Sequence, residues 1–126
     1  MIAGVGVDMV CIQRMEKSLC SEAFWQRVFG EEERAFLEAL SPAKRAASAA
    51  ANFAAKEAFL KACGVGLGGF ALADIQALRG EKGAPCYRLC GAAAAFAKEK
   101  GLRASLSLSH EGGLAIAFAV LETAQG

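Results

Sequence analysis

Net charge is the first thing this chain lacks. Fourteen Lys and Arg stand against thirteen Asp and Glu in 126 residues, a formal +1. A protein that holds nucleic acid through its overall field is excluded by that balance, leaving only a local basic patch open. Long apolar runs are missing too. No stretch approaches the roughly 18–20 residues of a membrane span. The opening MIAGVGVDMV has no basic lead and meets Asp8 too early for a signal peptide. The five cysteines (Cys11, Cys20, Cys63, Cys86, Cys90) are odd in number and form no CxxC pair. Neither zinc nor a disulfide framework is expected, and buried, reduced thiols in a cytoplasmic protein are. Repeats of solenoid period and low-complexity linkers are absent, so one domain over residues 1–126 is expected, large enough to bury a core.

What is present in excess is apolar surface. At 55% hydrophobic residues, partly alanine, a single small domain has trouble hiding it all, which favours an oligomer with apolar interfaces.

In chain order, Ile2 to Val10 reads as a strand whose Gly4 and Gly6 mark close backbone approach. Asp8, near its end, is either a ligand or the N-cap of the helix that follows. Short helices are predicted over Ile12–Leu19 and Ser21–Phe29, the second capped by Ser21, with Phe24, Trp25 and Val28 as its apolar stripe. Arg14, Lys17 and Arg27 then lie on polar faces. Gly30 closes that helix, and EEERAFLEAL starts the next with acidic residues favoured by the helix dipole.

Ser41 and Pro42, as N-cap and first residue, open a long helix to about Cys63. Its centre, NFAAKEAFLK, places Phe53, Glu57 and Lys61 along one face at i, i+4 and i+8. Phe59 and Leu60 lie elsewhere around it, so the helix is buried over much of its circumference, an unusual setting for Lys56, Glu57 and Lys61. The plainest account is an i,i+4 Glu57–Lys61 pair, contributing about 0.2–0.5 kcal/mol.

GVGLGG (64–69) stops the helix, either as a plain C-cap and loop or as a phosphate cradle. It has neither Walker spacing nor a following helix start. Strands are predicted over Ala73–Arg79 and Pro85–Leu89 and a helix over Gly91–Lys100. From Ala104 the period becomes two. Leu106 and Leu108 alternate with serines, and after a turn at His110–Gly113 Leu114, Ile116, Phe118 and Val120 share one face. The turn holds the only histidine, which on its own reads as a surface residue.

Three segments together resemble one family, the 4′-phosphopantetheinyl transferases of the holo-acyl-carrier-protein synthase type. GVGVDMVCIQRME (4–16) is similar to its glycine-flanked opening strand ending in aspartate. NFAAKEAFLKACGVGLG (52–68) is similar to its Lys-Glu-Ala core with a following lysine and glycine loop. SLSLSHEGGLAIAFAVLE (105–122) resembles its closing hairpin. Their order and spacing match over nearly the whole chain. The resemblance implies an α+β fold, an antiparallel sheet packed against a long central helix, in the short trimeric type.

It also implies transfer of the 4′-phosphopantetheine arm of coenzyme A to a serine of apo acyl carrier protein, in fatty acid biosynthesis. Asp8 and Glu57 would hold Mg²⁺, a hard cation that takes one or two carboxylates beside phosphate oxygens and waters. Lys61 would meet the phosphate or the leaving group. Proton removal would fall to Glu57 or to a water on the metal. His110 and the backbone of Gly64, Gly66 and Gly68 would hold the phosphates and nucleotide end. Arg14, joined by Lys17 and Arg27, would dock the acidic carrier protein. No nucleic acid or membrane partner is implied, and the assembly would be a homotrimer with sites at subunit boundaries.

Two departures stand out. Asn52 occupies a position where relatives often have arginine, and Gly83-Ala84-Pro85 lacks the basic residue that many carry before the proline. Both bear on the hold on phosphate or nucleotide. The rival readings are a catalytically idle coenzyme A or nucleotide-binding module and a structural trimer; retention of Asp8, Glu57 and Lys61 together argues against decay.

Overall fold

The computed structural model describes residues 1–66 and 68–124. Five strands and five helices run in the order β1 (Ile2–Cys11), α1 (Ile12–Ser18), α2 (Glu22–Val28), α3 (Glu31–Glu38), α4 (Pro42–Cys63), β2 (Ile75–Arg79), β3 (Pro85–Leu89), α5 (Gly91–Glu99), β4 (Leu102–Glu111) and β5 (Leu114–Thr123). A 3-10 turn, Leu72–Asp74, leads into β2, and another, Glu81–Gly83, joins β2 to β3. The main sheet is antiparallel in the order β1-β5-β4, and β2 and β3 form a separate hairpin. The α+β class follows, with α4 packed on β1 and β5 as the central helix.

The local signals explain most boundaries. Ser21 caps α2 by accepting the Phe24 N–H at 3.2 Å. Ser41 stands at the N-cap of α4 without a side-chain bond, and Pro42 follows it. Gly64 ends α4 at φ +75°, the left-handed conformation that glycine adopts without a Cβ penalty. Two expectations shift. Asp8 does not cap α1: Cys11 occupies that place, and Asp8 lies inside β1. Gly30 is the N-cap of α3 rather than the end of α2, whose C-cap is Phe29. Gly30 has no side chain to cap with, so Gln76 on β2 does the work through space, its Oε1 accepting the Glu32 and Glu33 N–H groups at 3.1 Å each.

The sheet inverts the usual size pattern. Gly4 and Gly6 face α4, and a Cβ on either would run into the carbonyl oxygens of Ala62 and Ala58. Ala115, Ala117 and Ala119 of β5 are buried on the same side. Small inward residues bring β1 and β5 close to the backbone of α4, whose own contacting residues are largely alanine. The bulky apolar residues therefore point outward: Val5, Val7, Met9, Leu114, Ile116 and Phe118 are exposed, Phe118 by 44% and Val7 by 53%. Leu106 and Leu108 of β4 turn inward as the alternation predicts.

The thiol expectation needs correction. All five cysteines are free, but none is fully buried, and Cys20 and Cys86 are exposed. Burial pushes the half-buried Cys63 thiol up to about 11, so it stays protonated at neutral pH. No described helix is long and apolar enough to cross a membrane.

Candidate active site

The close packing of β1 on α4 brings Asp8 to the exposed side of that helix. Asp8 stands in register with Ala117 of β5, which in turn pairs Leu108 of β4. Lys61 Nζ donates to Asp8 Oδ1 at 3.2 Å and to the Val7 carbonyl at 2.9 Å. The ion pair formed is thus Lys61–Asp8, across the helix–strand boundary, rather than the Glu57–Lys61 pair that spacing alone suggests.

Glu57 stands one turn before Lys61 on the same open face. Burial, and then the charge of Asp8, push its carboxyl above the ordinary glutamate value, with Lys61 pulling it back. A second carboxylate beside Glu57 that makes it costlier to ionise invites a cation. No cluster of three or more His, Cys, Asp or Glu side chains forms a ready metal cage among the described residues. The chemistry of the set fits Mg²⁺ rather than a structural metal, because Mg²⁺ takes one or two carboxylates and leaves its other positions to water and phosphate.

These groups open on a pocket of about 450 Å³. Asp8 and Glu57 line one part, Arg14 the rim, and Met15, Phe24 and Phe53 an apolar wall. Phe24 stacks on Phe53 with ring centroids 6.2 Å apart. Arg14 therefore stands beside the carboxylates, whereas Lys17 and Arg27 are exposed outside the pocket lining. Arg27 lies over the Phe24 ring, 5.9 Å from its centroid. Gly64, Gly66 and Gly68 have open space where a side chain would be. Leu67, between them, is outside the described residues.

His110 falls elsewhere. It pairs with Ala115 at the far end of the β4–β5 hairpin and lines a second cavity, of about 240 Å³, with Ser48, Arg79, Pro85 and Ser109. The two cavities share no lining residue. One opens beside β1 and the other beside β4, with β5 between those strands. A single chain thus does not bring His110 to Asp8 and Glu57.

Sequence reasoning missed the support behind this face. Lys56, adjacent to Glu57, is fully buried and donates to Glu33 Oε1 at 2.5 Å, to the Leu72 carbonyl at 3.0 Å and to the Ile75 carbonyl at 2.7 Å. Burial lowers its pKa and Glu33 pulls it back. Three acceptors match the three N–H donors of an ammonium. Glu33 also accepts from Gly30, Asn52 and Ala77 N–H groups. The pair pins α4 to α3 and β2, fixing the helix rotation that presents Glu57. Asn52 belongs to this interior, donating to Glu33 and to the Ala77 carbonyl. It is fully buried and lines neither cavity, so no phosphate contact is made from it. The available signal was a Lys-Glu dipeptide on a helix, whose side chains must diverge by about 100°.

An α+β fold that sets two carboxylates in the lining of an open pocket, one of them paired to a lysine, has the form of a group-transfer enzyme handling phosphates. The chain belongs to the 4′-phosphopantetheinyl transferase superfamily, whose family model matches residues 4–119. It is 43% identical to the holo-[acyl-carrier-protein] synthase of Clavibacter michiganensis, over 97% of each chain. Among solved structures it resembles the Bacillus anthracis holo-(acyl-carrier-protein) synthase in complex with CoA (3′,5′-ADP), with a TM-score of 0.83 and 32% identity over 98% of this chain and 99% of that one. It also resembles the Plasmodium yoelii acyl carrier protein synthase with ADP bound, with a TM-score of 0.88 and 32% identity over 99% and 98%.

Proposed function

We propose that this protein is a cytoplasmic holo-acyl-carrier-protein synthase, acting as one domain over residues 1–126. It transfers the 4′-phosphopantetheine arm of coenzyme A to a serine of apo acyl carrier protein in fatty acid biosynthesis. The observation that carries the reading is that Asp8 and Glu57 line one pocket on this fold, with Lys61 paired to Asp8.

In the reaction the serine oxygen bonds to the β-phosphorus, and the bond from that phosphorus to the bridging oxygen breaks. Adenosine 3′,5′-bisphosphate leaves with the bridging oxygen. The centre is ringed by anionic oxygens, so positioning and charge neutralisation carry most of the catalysis. Asp8 and Glu57 would hold Mg²⁺, which when bound would neutralise pyrophosphate charge. The serine proton goes to Glu57 or to a water that the metal would hold. Lys61 exchanges its hold on Asp8 for the departing phosphate. Arg14, on the pocket rim, meets the acidic carrier protein, with Lys17 and Arg27 adding to the field on approach. The open backbone of Gly64, Gly66 and Gly68 lies against the coenzyme near Lys61.

The separation of His110 from the carboxylates supports a site completed between subunits, and the exposed apolar sheet face supports the homotrimer that would complete it. Coenzyme A then spans the carboxylate pocket of one chain and the His110 cavity of another. Glu57→Gln tests the reading. It should keep the fold and lower the rate of carrier-protein modification at least about a hundredfold, within the range for a lost acid–base group. Full activity in that variant would remove Glu57 from both roles.

A further inference from the structure

Asp8, given to a cation above, already has a partner. We infer that Lys61 is a built-in counter-ion that holds Asp8 until the pyrophosphate of coenzyme A offers it another acceptor, so that metal and coenzyme bind as a coupled pair rather than metal first. This rests on the phosphopantetheinyl-transfer reading and adds to it a coupling set by one residue.

Lys61 Nζ donates to Asp8 Oδ1 at 3.2 Å and to the Val7 carbonyl at 2.9 Å. The first acceptor is a side chain that can turn, and the second is fixed in the backbone of β1. Letting go of Asp8 therefore leaves the ammonium anchored on Val7, with two of its three N–H donors to spare. The Lys61 side chain is 56% exposed and that of Asp8 21%. An ion pair this open, on a flexible four-carbon stem, is held weakly and exchanged cheaply. The Lys56–Glu33 pair is the opposite case, with both side chains shut off from water. One pair is built to stay and the other to part.

Charge balance supplies the coupling. Asp8 and Glu57 are the acidic groups lining the pocket, Arg14 is the basic one, and Lys61 stands against Asp8. Two groups of each sign formally cancel, so the pocket's own field does little to draw a divalent cation. Lys61 also attracts the Glu57 carboxylate electrostatically. A cation arriving alone competes with the ammonium for Asp8 and meets a like charge beside it. Pyrophosphate relieves both costs, because it accepts from Lys61 and offers anionic oxygens to the cation. Each ligand then favours the other by the same factor.

The test is Mn²⁺ titration of the intact protein without any carrier protein, with and without coenzyme A, read from the paramagnetic resonance of the free ion. The parent should bind Mn²⁺ at least about tenfold more tightly with saturating coenzyme A than alone. Lys61→Met should bind Mn²⁺ alone about fivefold or more tightly than the parent, and the gain from coenzyme A should shrink by a similar factor. Lys61→Arg, which keeps the charge, should stay near the parent. Arg14→Met removes a charge from the same pocket without breaking a bond to Asp8, and should tighten Mn²⁺ binding less than Lys61→Met does. Lys61→Gln serves if Lys61→Met does not fold. Equal Mn²⁺ affinity in the parent and Lys61→Met, an equal gain from Arg14→Met, or no Mn²⁺ binding by any of these proteins overturns the assignment. Tighter binding by Lys61→Met, where the parent modifies no carrier protein, keeps the counter-ion and sinks the transfer reading.

Discussion

Lys56 and Glu57 are neighbours in sequence with opposite tasks. Lys56 turns inward, where Glu33 and two carbonyls satisfy it; Glu57 turns outward with an unfavourable carboxylate neighbour. Removing one partner of the inner pair would leave a buried charge, whereas the outer carboxylate is held at a cost that a ligand relieves. A carboxyl whose pKa is raised on folding binds its proton more tightly in the native state. Stability therefore falls as pH rises from the ordinary glutamate range, about 4.3, through the raised value, and the deficit persists at neutral pH. Glu57→Gln, with chelator present and no coenzyme A, should melt about 1–3 °C above the parent at pH 7.5, with the gap closing below about pH 4. Equal melting at pH 7.5 would show that Asp8 and burial impose no such cost. The charges on this helix were visible in the sequence. Which of them was buried was not, because Lys56 finds its partners 16 to 23 residues away.

Among elements, β1 and α4 set the site. Gly4 and Gly6 remove the Cβ atoms that would hold the strand off the helix, and that approach places Asp8 against Lys61. Gly6→Ala should destabilise the protein by about 1–3 kcal/mol through overpacking, measured by urea unfolding. It should cost transfer activity as well, since Asp8 moves with the strand. An unchanged midpoint would contradict the close approach. These glycines were readable as signs of close backbone contact, and the helix boundaries followed from Ser21, Pro42 and Gly64. The period-two pattern of β5 also gave the strand and its shared face. What periodicity could not reveal was that the large residues face outward, because the inner face is set by helix proximity rather than by hydrophobicity.

At the scale of the whole molecule, the outward face of β1 and β5 is the feature a lone chain leaves unexplained. Val5, Val7, Met9, Ile116 and Phe118 form an apolar band that water should not meet. Phe118→Glu should break the assembly, shifting the mass by light scattering from three times the 13.1 kDa chain toward one, and with it transfer activity. A trimer that survives the substitution would place the interface elsewhere. The central claim concerns the chemistry, and the most direct test is intact-mass spectrometry of apo acyl carrier protein incubated with this protein and coenzyme A, in Mg²⁺ or in excess chelator. A gain of one phosphopantetheine on the carrier protein in the Mg²⁺ sample alone is the predicted result. No gain on any of several carrier proteins, from folded and assembled protein, would contradict it.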